Sequence, residues 1–296
     1  MIAASSALAQ LNEAVVGRSR EIELVLAALD TGRHVLLEGP PGTGKSTLLR
    51  ALAQATGREL VFVEGNAELT PARLAGAFDP AQVMAKGYDP EVFVDGPLVD
   101  ALRRGSLLYV EEINRVPEET LNLLVTVMSE GELHVPRLGR VGAAPGFGLV
   151  AAMNPFDAVG TARISAAIYD RICRIGMGYQ SAADERAIVE REAVGADSQL
   201  VDRAVAVVRL SRSHPEVRIG SSVRGAIDLT VLAGSLASLR CKRSTDPEVG
   251  LDAALAALSG RIRVHEGTDT DAEDVVRYLW AQVCRGGDGE DGQGKA

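Results

Sequence analysis

His34-Val35-Leu36-Leu37-Glu38-Gly39-Pro40-Pro41-Gly42-Thr43-Gly44-Lys45-Ser46 is the stretch that decides the fold. The apolar run from His34 to Leu37 ends at Gly39 and reads as a buried parallel strand. From Lys45 to Thr56 the period becomes helical, with Leu48, Leu49, Leu52 and Ala53 on one face and Gly57 as the stop. A glycine-rich loop between a strand and a helix is suited to anions. Glycines let the chain curl so that backbone N–H groups turn inward, and the helix adds its positive N-terminal end. The spacing Gly39-x-x-x-x-Gly44-Lys45-Ser46 is complete. It assigns Gly39, Pro40, Pro41, Gly42, Thr43, Gly44, Lys45, Ser46 and Thr47 to nucleotide binding. Lys45 is expected to reach the β- and γ-phosphates and the Ser46 hydroxyl to bind Mg²⁺. The expected ligands are ATP and Mg²⁺.

Outward from this loop the same alternation continues. Residues 21–29 form an amphipathic helix with Ser19 as N-cap, and residues 60–63 form a second strand. Residues 71–97, where Pro, Gly and Asp recur, are irregular and contain an insertion. A short helix over 98–104 closes at Gly105, and the apolar run Leu107-Leu108-Tyr109-Val110 leads directly into Glu111 and Glu112. Pro117-Glu118-Glu119 opens a helix that ends at Gly131. Residues 132–146 read as a hairpin, 149–153 as a strand stopped by Asn154-Pro155, and 172–177 as the last strand. After Tyr179 the pattern is helical throughout, beginning with a capping box at Ser181-Ala182-Ala183-Asp184.

The expected fold is therefore α/β: a P-loop NTPase parallel sheet sandwiched by helices, followed by a smaller all-helical domain. Residues 1–179 and 180–285 are the two domains, and the Gly-rich polar tail 286–296 is expected to be disordered.

At the carboxyl end of a buried strand, carboxylates lie where open α/β sheets bind ligands. Glu111 can enter the Mg²⁺ shell, and Glu112 can orient or deprotonate an attacking water. Asn114 and Arg115 follow and fix the loop before Pro117.

Composition narrows the classes further. The chain has 296 residues, 46% hydrophobic and 24% charged, which suits a globular protein of two unequal domains. A net charge of −9 gives no global basic field, so a nucleic-acid partner is not expected. Cys173, Cys241 and Cys284 are scattered and odd in number, the pattern of reduced, partly buried thiols rather than a disulfide framework. No apolar run approaches the roughly 20 residues of a membrane span, so the expectation is a cytoplasmic protein.

Taken in order, the glycine loop, residues 107–115, Ala152-Met153-Asn154-Pro155, Gly160-Thr161, Asp170-Arg171 and Gly220-Ser221-Ser222-Val223-Arg224 resemble the MoxR-type AAA+ ATPases. The resemblance spans about residues 15–283. It implies that Glu112 is the catalytic glutamate of the Walker B motif, Asn154 the sensor 1 residue beside the γ-phosphate, and Arg171 an arginine finger serving a neighbouring subunit. Arg224 would be the sensor 2 arginine of the helical lid. The stretches 83–97 and 137–146 are similar in place to the helix 2 and pre-sensor 1 insertions, and Gly260-Arg261 with Glu273-Asp274-Val275 to the end of the lid.

The family's Walker B ends Asp-Glu, whereas this chain has Glu111-Glu112; the extra methylene requires the Mg²⁺ shell to shift or Glu111 to bend. Ile172 follows Asp170-Arg171 where the family often has phenylalanine, and Arg163 is a second candidate for the finger. A homo-oligomeric ring, hexameric by resemblance, and a partner bearing a von Willebrand factor A domain are also implied. Three readings follow: a chaperone-like remodelling, maturation or metal-insertion ATPase, an ATP-binding switch with negligible turnover, and a small-molecule P-loop kinase.

Overall fold

The computed structural model describes residues 2–155 and 164–287. The chain divides into two units, Met1–Gly178 and Tyr179–Ala296.

The first unit opens with α1 (Ile2–Ala14), α2 (Ser19–Asp30), β1 (His34–Glu38), α3 (Lys45–Thr56) and β2 (Leu60–Glu64). Then come α4 (Pro71–Ala75), β3 (Gly76–Phe78), α5 (Pro80–Lys86), β4 (Phe93–Asp95), α6 (Pro97–Arg104) and β5 (Leu107–Glu111). It ends with α7 (Glu118–Glu130), β6 (Glu132–Val135), β7 (Gly139–Gly142), β8 (Gly148–Met153), α8 (Ala166–Tyr169) and β9 (Ile172–Gly176). Five strands form one parallel sheet in the order β2-β5-β8-β1-β9.

Strand alternation sends successive side chains to opposite faces. Leu36, Leu108, Val110, Leu149 and Ala151 bury against α6 and α7 through Leu98, Leu102, Leu121 and Leu124. Val35, Leu37, Leu107, Tyr109, Val150 and Ala152 face α1, α2 and α3 through Leu11, Ile22, Val25, Leu48, Leu49 and Leu52. Strands apolar on both faces are what a sheet covered on both sides requires. The stops expected at Gly57, Gly105 and Gly131 are left-handed helix caps.

One local expectation is corrected. The N-cap of α2 is Arg18 rather than Ser19, because the Arg18 side chain is drawn inward to backbone carbonyls while Ser19 takes the first helical position. Helix α1 carries no start signal in its sequence. It is held by core contacts at Ala7 and Leu11.

The two irregular stretches also have definite form. Residues 76–95 make an antiparallel pair, β3 with β4, that brackets α5. Phe78 packs edge-on against both Tyr88 and Phe93. β6 and β7 form the expected hairpin. At its tip the Arg137 guanidinium lies 3.5 Å from the centroid of the Tyr88 ring, a cation–π contact joining the two excursions.

The second unit contains α9 (Ala182–Glu192), α10 (Ser198–Ser211), β10 (Val217–Ile219), α11 (Val223–Arg240), α12 (Pro247–Leu258), β11 (Arg263–Val264) and α13 (Ala272–Gly287). Ser181 accepts the Asp184 amide, as the capping box predicts. The unit is helical but adds one antiparallel ribbon, β10 with β11, which the sequence pattern does not show because each strand is too short for a period of two. Its core is made of small aliphatics such as Ala204, Val208, Ala226, Ala253 and Ala254, plus Trp280. Trp280 lies against Gly250, where any Cβ would come within 2.1 Å of the ring. Cys173 and Cys241 are exposed rather than partly buried, because Cys173 points outward from the edge strand β9 and Cys241 ends α11 in the left-handed conformation. Among the described residues no helix is long and apolar enough to cross a membrane.

Candidate nucleotide site

The loop 39–44 leaves the carboxyl end of β1 and enters α3 at Lys45. A Cβ at Gly39 would lie 2.0 Å from the Met177 carbonyl oxygen, so only glycine lets the loop start beside the end of β9. Gly42 and Gly44 take positive φ (73° and 85°), the curl expected of an anion cradle. The loop is anchored from below. Thr43 is fully buried, and its hydroxyl donates to the Pro40 carbonyl at 2.9 Å. Arg18, also buried, donates through Nη2 to the Thr43 carbonyl at 2.9 Å and the Gly178 carbonyl at 2.6 Å, and pairs with Glu21 at 3.2 Å. Lys45 Nζ donates to the Gly39 and Pro40 carbonyls, each at 2.8 Å, which brings the ammonium onto the loop.

β5 lies two strands from β1, with β8 between them. Its end nevertheless reaches the loop: Ser46 Oγ donates to Glu111 Oε1 at 2.6 Å. Glu111 thus spans the gap, and Ser46 and Glu111 form a pair of oxygen donors of the kind a hard cation takes. The Tyr109 hydroxyl is 3.2 Å from Ser46 Oγ. Burial, then the negative charge of Glu111 and a hydrogen bond to it, pushes the Tyr109 phenol far above its ordinary range, and it keeps its proton.

Glu112 begins the turn after β5 with φ 52°, a left-handed conformation uncommon for a residue other than glycine. Its carboxylate pairs with Arg115 Nε at 3.0 Å. The turn is backed by Gly65, whose N–H donates to the Glu111 carbonyl at 2.7 Å; a Cβ there would lie 2.4 Å from the Glu112 carbonyl oxygen. Asn154 follows the end of β8, between the loop and the acidic pair.

Of the remaining candidates, Arg171 lies elsewhere in the first unit. Arg171 precedes β9, where Ile172 stands level with His34 at the amino end of β1. Five strand residues separate that level from the loop, roughly 15–20 Å, so Arg171 cannot reach the loop of its own chain. It donates to Ser129 Oγ at 2.5 Å and the Ala167 carbonyl at 2.9 Å. Arg224 is exposed in the first turn of α11, in the second unit. The turn before it is fixed by Arg212, which donates to the Ser221 carbonyl at 2.8 Å, pairs with buried Glu185 at 2.7 Å and lies 3.8 Å from the centroid of the Tyr179 ring. Gly160, Thr161 and Arg163 lie outside the described residues.

Arg18, Gly65 and Tyr109 carry no role in the sequence reading. Tyr109 had one signal: a polar-tipped residue in an aliphatic buried strand, two positions before Glu111 and so on the same face.

Residues 34–172 match the AAA domain family, dynein-related subfamily. The chain belongs to the AAA+ P-loop ATPases. This AAA+ chain is 29% identical to the uncharacterized protein YeaC of Bacillus subtilis, over 94% of its own length and 93% of YeaC. It is 30% identical to an uncharacterized Staphylococcus epidermidis protein, over 70% and 80% of the two chains. Among solved structures it is similar to a candidate ATPase of Cytophaga hutchinsonii, with a TM-score of 0.53, 19% identity and coverage of 95% and 94%. It is also similar to a mutant form of RuvB from Thermotoga maritima, with a TM-score of 0.56, 19% identity and coverage of 82% and 71%. The structural likenesses show that the AAA+ fold, a parallel sheet covered by helices with a helical C-terminal part, is shared.

Proposed function

We propose that this AAA+ protein binds ATP with Mg²⁺ at residues 39–47 and hydrolyses it by direct attack of water on the γ-phosphate. The observation that carries the reading is the 2.6 Å contact between Ser46 Oγ and Glu111 Oε1, which unites the loop with the acidic pair. Ser46 and Glu111 are the side chains that would hold Mg²⁺; when bound, the ion supplies positive charge against the phosphate oxygens. Lys45 adds a second cation to the β- and γ-phosphates. Asn154 orients the attacking water, and Glu112 accepts its proton. Arg171, too far from its own loop, serves the site of a neighbouring subunit, and Arg224 contributes from the lid. A contact in which one subunit's finger enters the next subunit's site is head-to-tail and closes into a ring, taken here as a hexamer.

The MoxR-type resemblance and the joined excursions at residues 76–95 and 132–142 support a cytoplasmic remodelling or maturation role alongside a partner with a von Willebrand factor A domain. A second reading, an ATP-binding switch with negligible turnover, is favoured by the Glu112–Arg115 pair, which holds the proposed base in an ion contact.

The test is the Mg²⁺-dependent ATPase rate per subunit against protein concentration, for wild type, Glu112→Gln and Arg171→Ala. A rate that rises with concentration and collapses in both variants is expected. A rate independent of concentration and indifferent to Arg171 would sink the shared site. Tight ATP binding without turnover would establish the switch.

A further inference from the structure

Tyr109 is 1% exposed, and its ring is packed within the core face of β5 beside Phe62, centroids 5.5 Å apart. The ring is therefore held by its surroundings, and the hydroxyl has a fixed place 3.2 Å from Ser46 Oγ. A serine hydroxyl has one hydrogen and two lone pairs, and it rotates freely unless its partners hold it. The Ser46 hydrogen is committed to Glu111 Oε1 at 2.6 Å. With that hydrogen committed, a bond across the 3.2 Å between Ser46 and Tyr109 takes the phenol hydrogen and occupies one Ser46 lone pair, while the same phenol also lies in hydrogen-bond contact with Glu111. One lone pair is left, and two anchors fix its direction.

We propose that Tyr109 is a positioning residue for a metal-binding hydroxyl: it and Glu111 together lock the Ser46 rotor so that its free lone pair faces the cation. The proposal rests on the reading of the loop as an Mg²⁺–ATP site. Glu111 alone fixes where the Ser46 hydrogen goes and leaves the oxygen free to swing about that bond. Tyr109 removes that freedom. A tyrosine present only to fill the core would need some partner for its hydroxyl, and Ser46 would serve that need as well. The two roles differ in what they couple to: packing is indifferent to the metal, whereas orientation acts only through Ser46.

The experiment uses the full chain, a fluorescent ATP analogue with and without EDTA, and Mn²⁺ titrated by electron paramagnetic resonance in the presence of nucleotide. Tyr109→Phe keeps the ring and removes only the hydroxyl. It is expected to leave metal-free nucleotide affinity within about twofold and to weaken Mn²⁺ binding about three- to tenfold, the scale of one hydrogen bond. In a Ser46→Ala background the same change should alter Mn²⁺ binding by less than about twofold, because the hydroxyl to be oriented is gone. Equal weakening in both backgrounds, or none in either, overturns the positioning role alone. A wild-type protein that binds no nucleotide, or whose nucleotide binding is indifferent to Mn²⁺, overturns the Mg²⁺–ATP reading beneath it.

Discussion

Glu112 Oε2 and Arg115 Nε lie 3.0 Å apart across a single 3₁₀ turn, and both side chains are 39% exposed. An ion pair this open is worth about 0.2–1 kcal/mol. That is too little to hold the proposed base permanently and enough to slow it, since Glu112 would have to leave Arg115 to meet a water. Arg115→Gln is expected to raise kcat about two- to fivefold with the KM for ATP unchanged, measured by steady-state ATPase assay. A fall in kcat of about tenfold or more would instead give Arg115 a required role in turnover.

Arg171 and Glu112 are predicted to complement one another across subunits. Arg171→Ala alone should lose about 10³-fold or more in kcat while still binding ATP, the scale of a lost arginine finger. Mixing Arg171→Ala with Glu112→Gln should restore measurable activity, because some interfaces then join an intact Glu112 to an intact Arg171. Mixtures no more active than either variant alone would argue against a finger acting in trans.

Gly65 supports the acidic turn by lacking a side chain. Its Cβ would come within 2.4 Å of the Glu112 carbonyl oxygen and 2.8 Å of the Glu111 carbonyl oxygen, both main-chain atoms. Gly65→Ala is expected to push the turn away from Ser46 and to cost about 1–3 kcal/mol of stability, the usual scale of overpacking. Urea unfolding reads the stability, and the Mg²⁺ concentration needed for half-maximal ATPase rate should rise. An unchanged midpoint in both would mean that the backbone yields freely there.

Arg18 ties the Thr43 carbonyl to the Gly178 carbonyl from a buried position. Removing it leaves these acceptors without the bonds it makes. Arg18→Ala should cost about 2–4 kcal/mol in chemical denaturation and raise the KM for ATP. Arg18→Lys, a point charge without the planar fork, should recover only part of either loss.

His34 gives a pH signature. Burial, and secondarily the charge of Arg33, holds its pKa below the ordinary 6.5, and its Nδ1 accepts the Leu149 amide at 3.1 Å. The folded state therefore resists protonation that the unfolded state accepts. The contribution is fully present above pH 6.5 and is lost as pH falls below it through the lower folded pKa. Urea midpoints should drop between pH 7 and pH 5, and His34→Gln should flatten that part of the profile. An identical slope in the variant would rule His34 out as its source.

The sheet was legible because its strands are short apolar runs that stop at Gly39, Glu111 and Asn154, and the loop because its glycines and lysine keep a fixed spacing. What could not be read depends on which strands lie side by side. The bond from Ser46 to Glu111 crosses 65 positions and requires β8 to separate β1 from β5 by only one strand. Arg18 carried no signal, since nothing local announces that it turns inward to carbonyls 25 and 160 positions away. In residues 76–95, Pro and Gly masked two three-residue strands. Phe78 and Phe93 were the visible trace of their pairing, and they face each other only once the hairpin has closed.

The contact between Arg137 and Tyr88 has a consequence for movement. The chain from Tyr88 to Arg137 passes through Glu111 and Glu112 before returning to the same spot, so the cation on the ring fastens it into a closed linkage. A free arm can absorb a displacement along its length; a linkage passes it on to every member. A rearrangement at the acidic pair would therefore carry both excursions as one hinged piece, and cutting the fastening with Tyr88→Ala would leave two arms that swing independently.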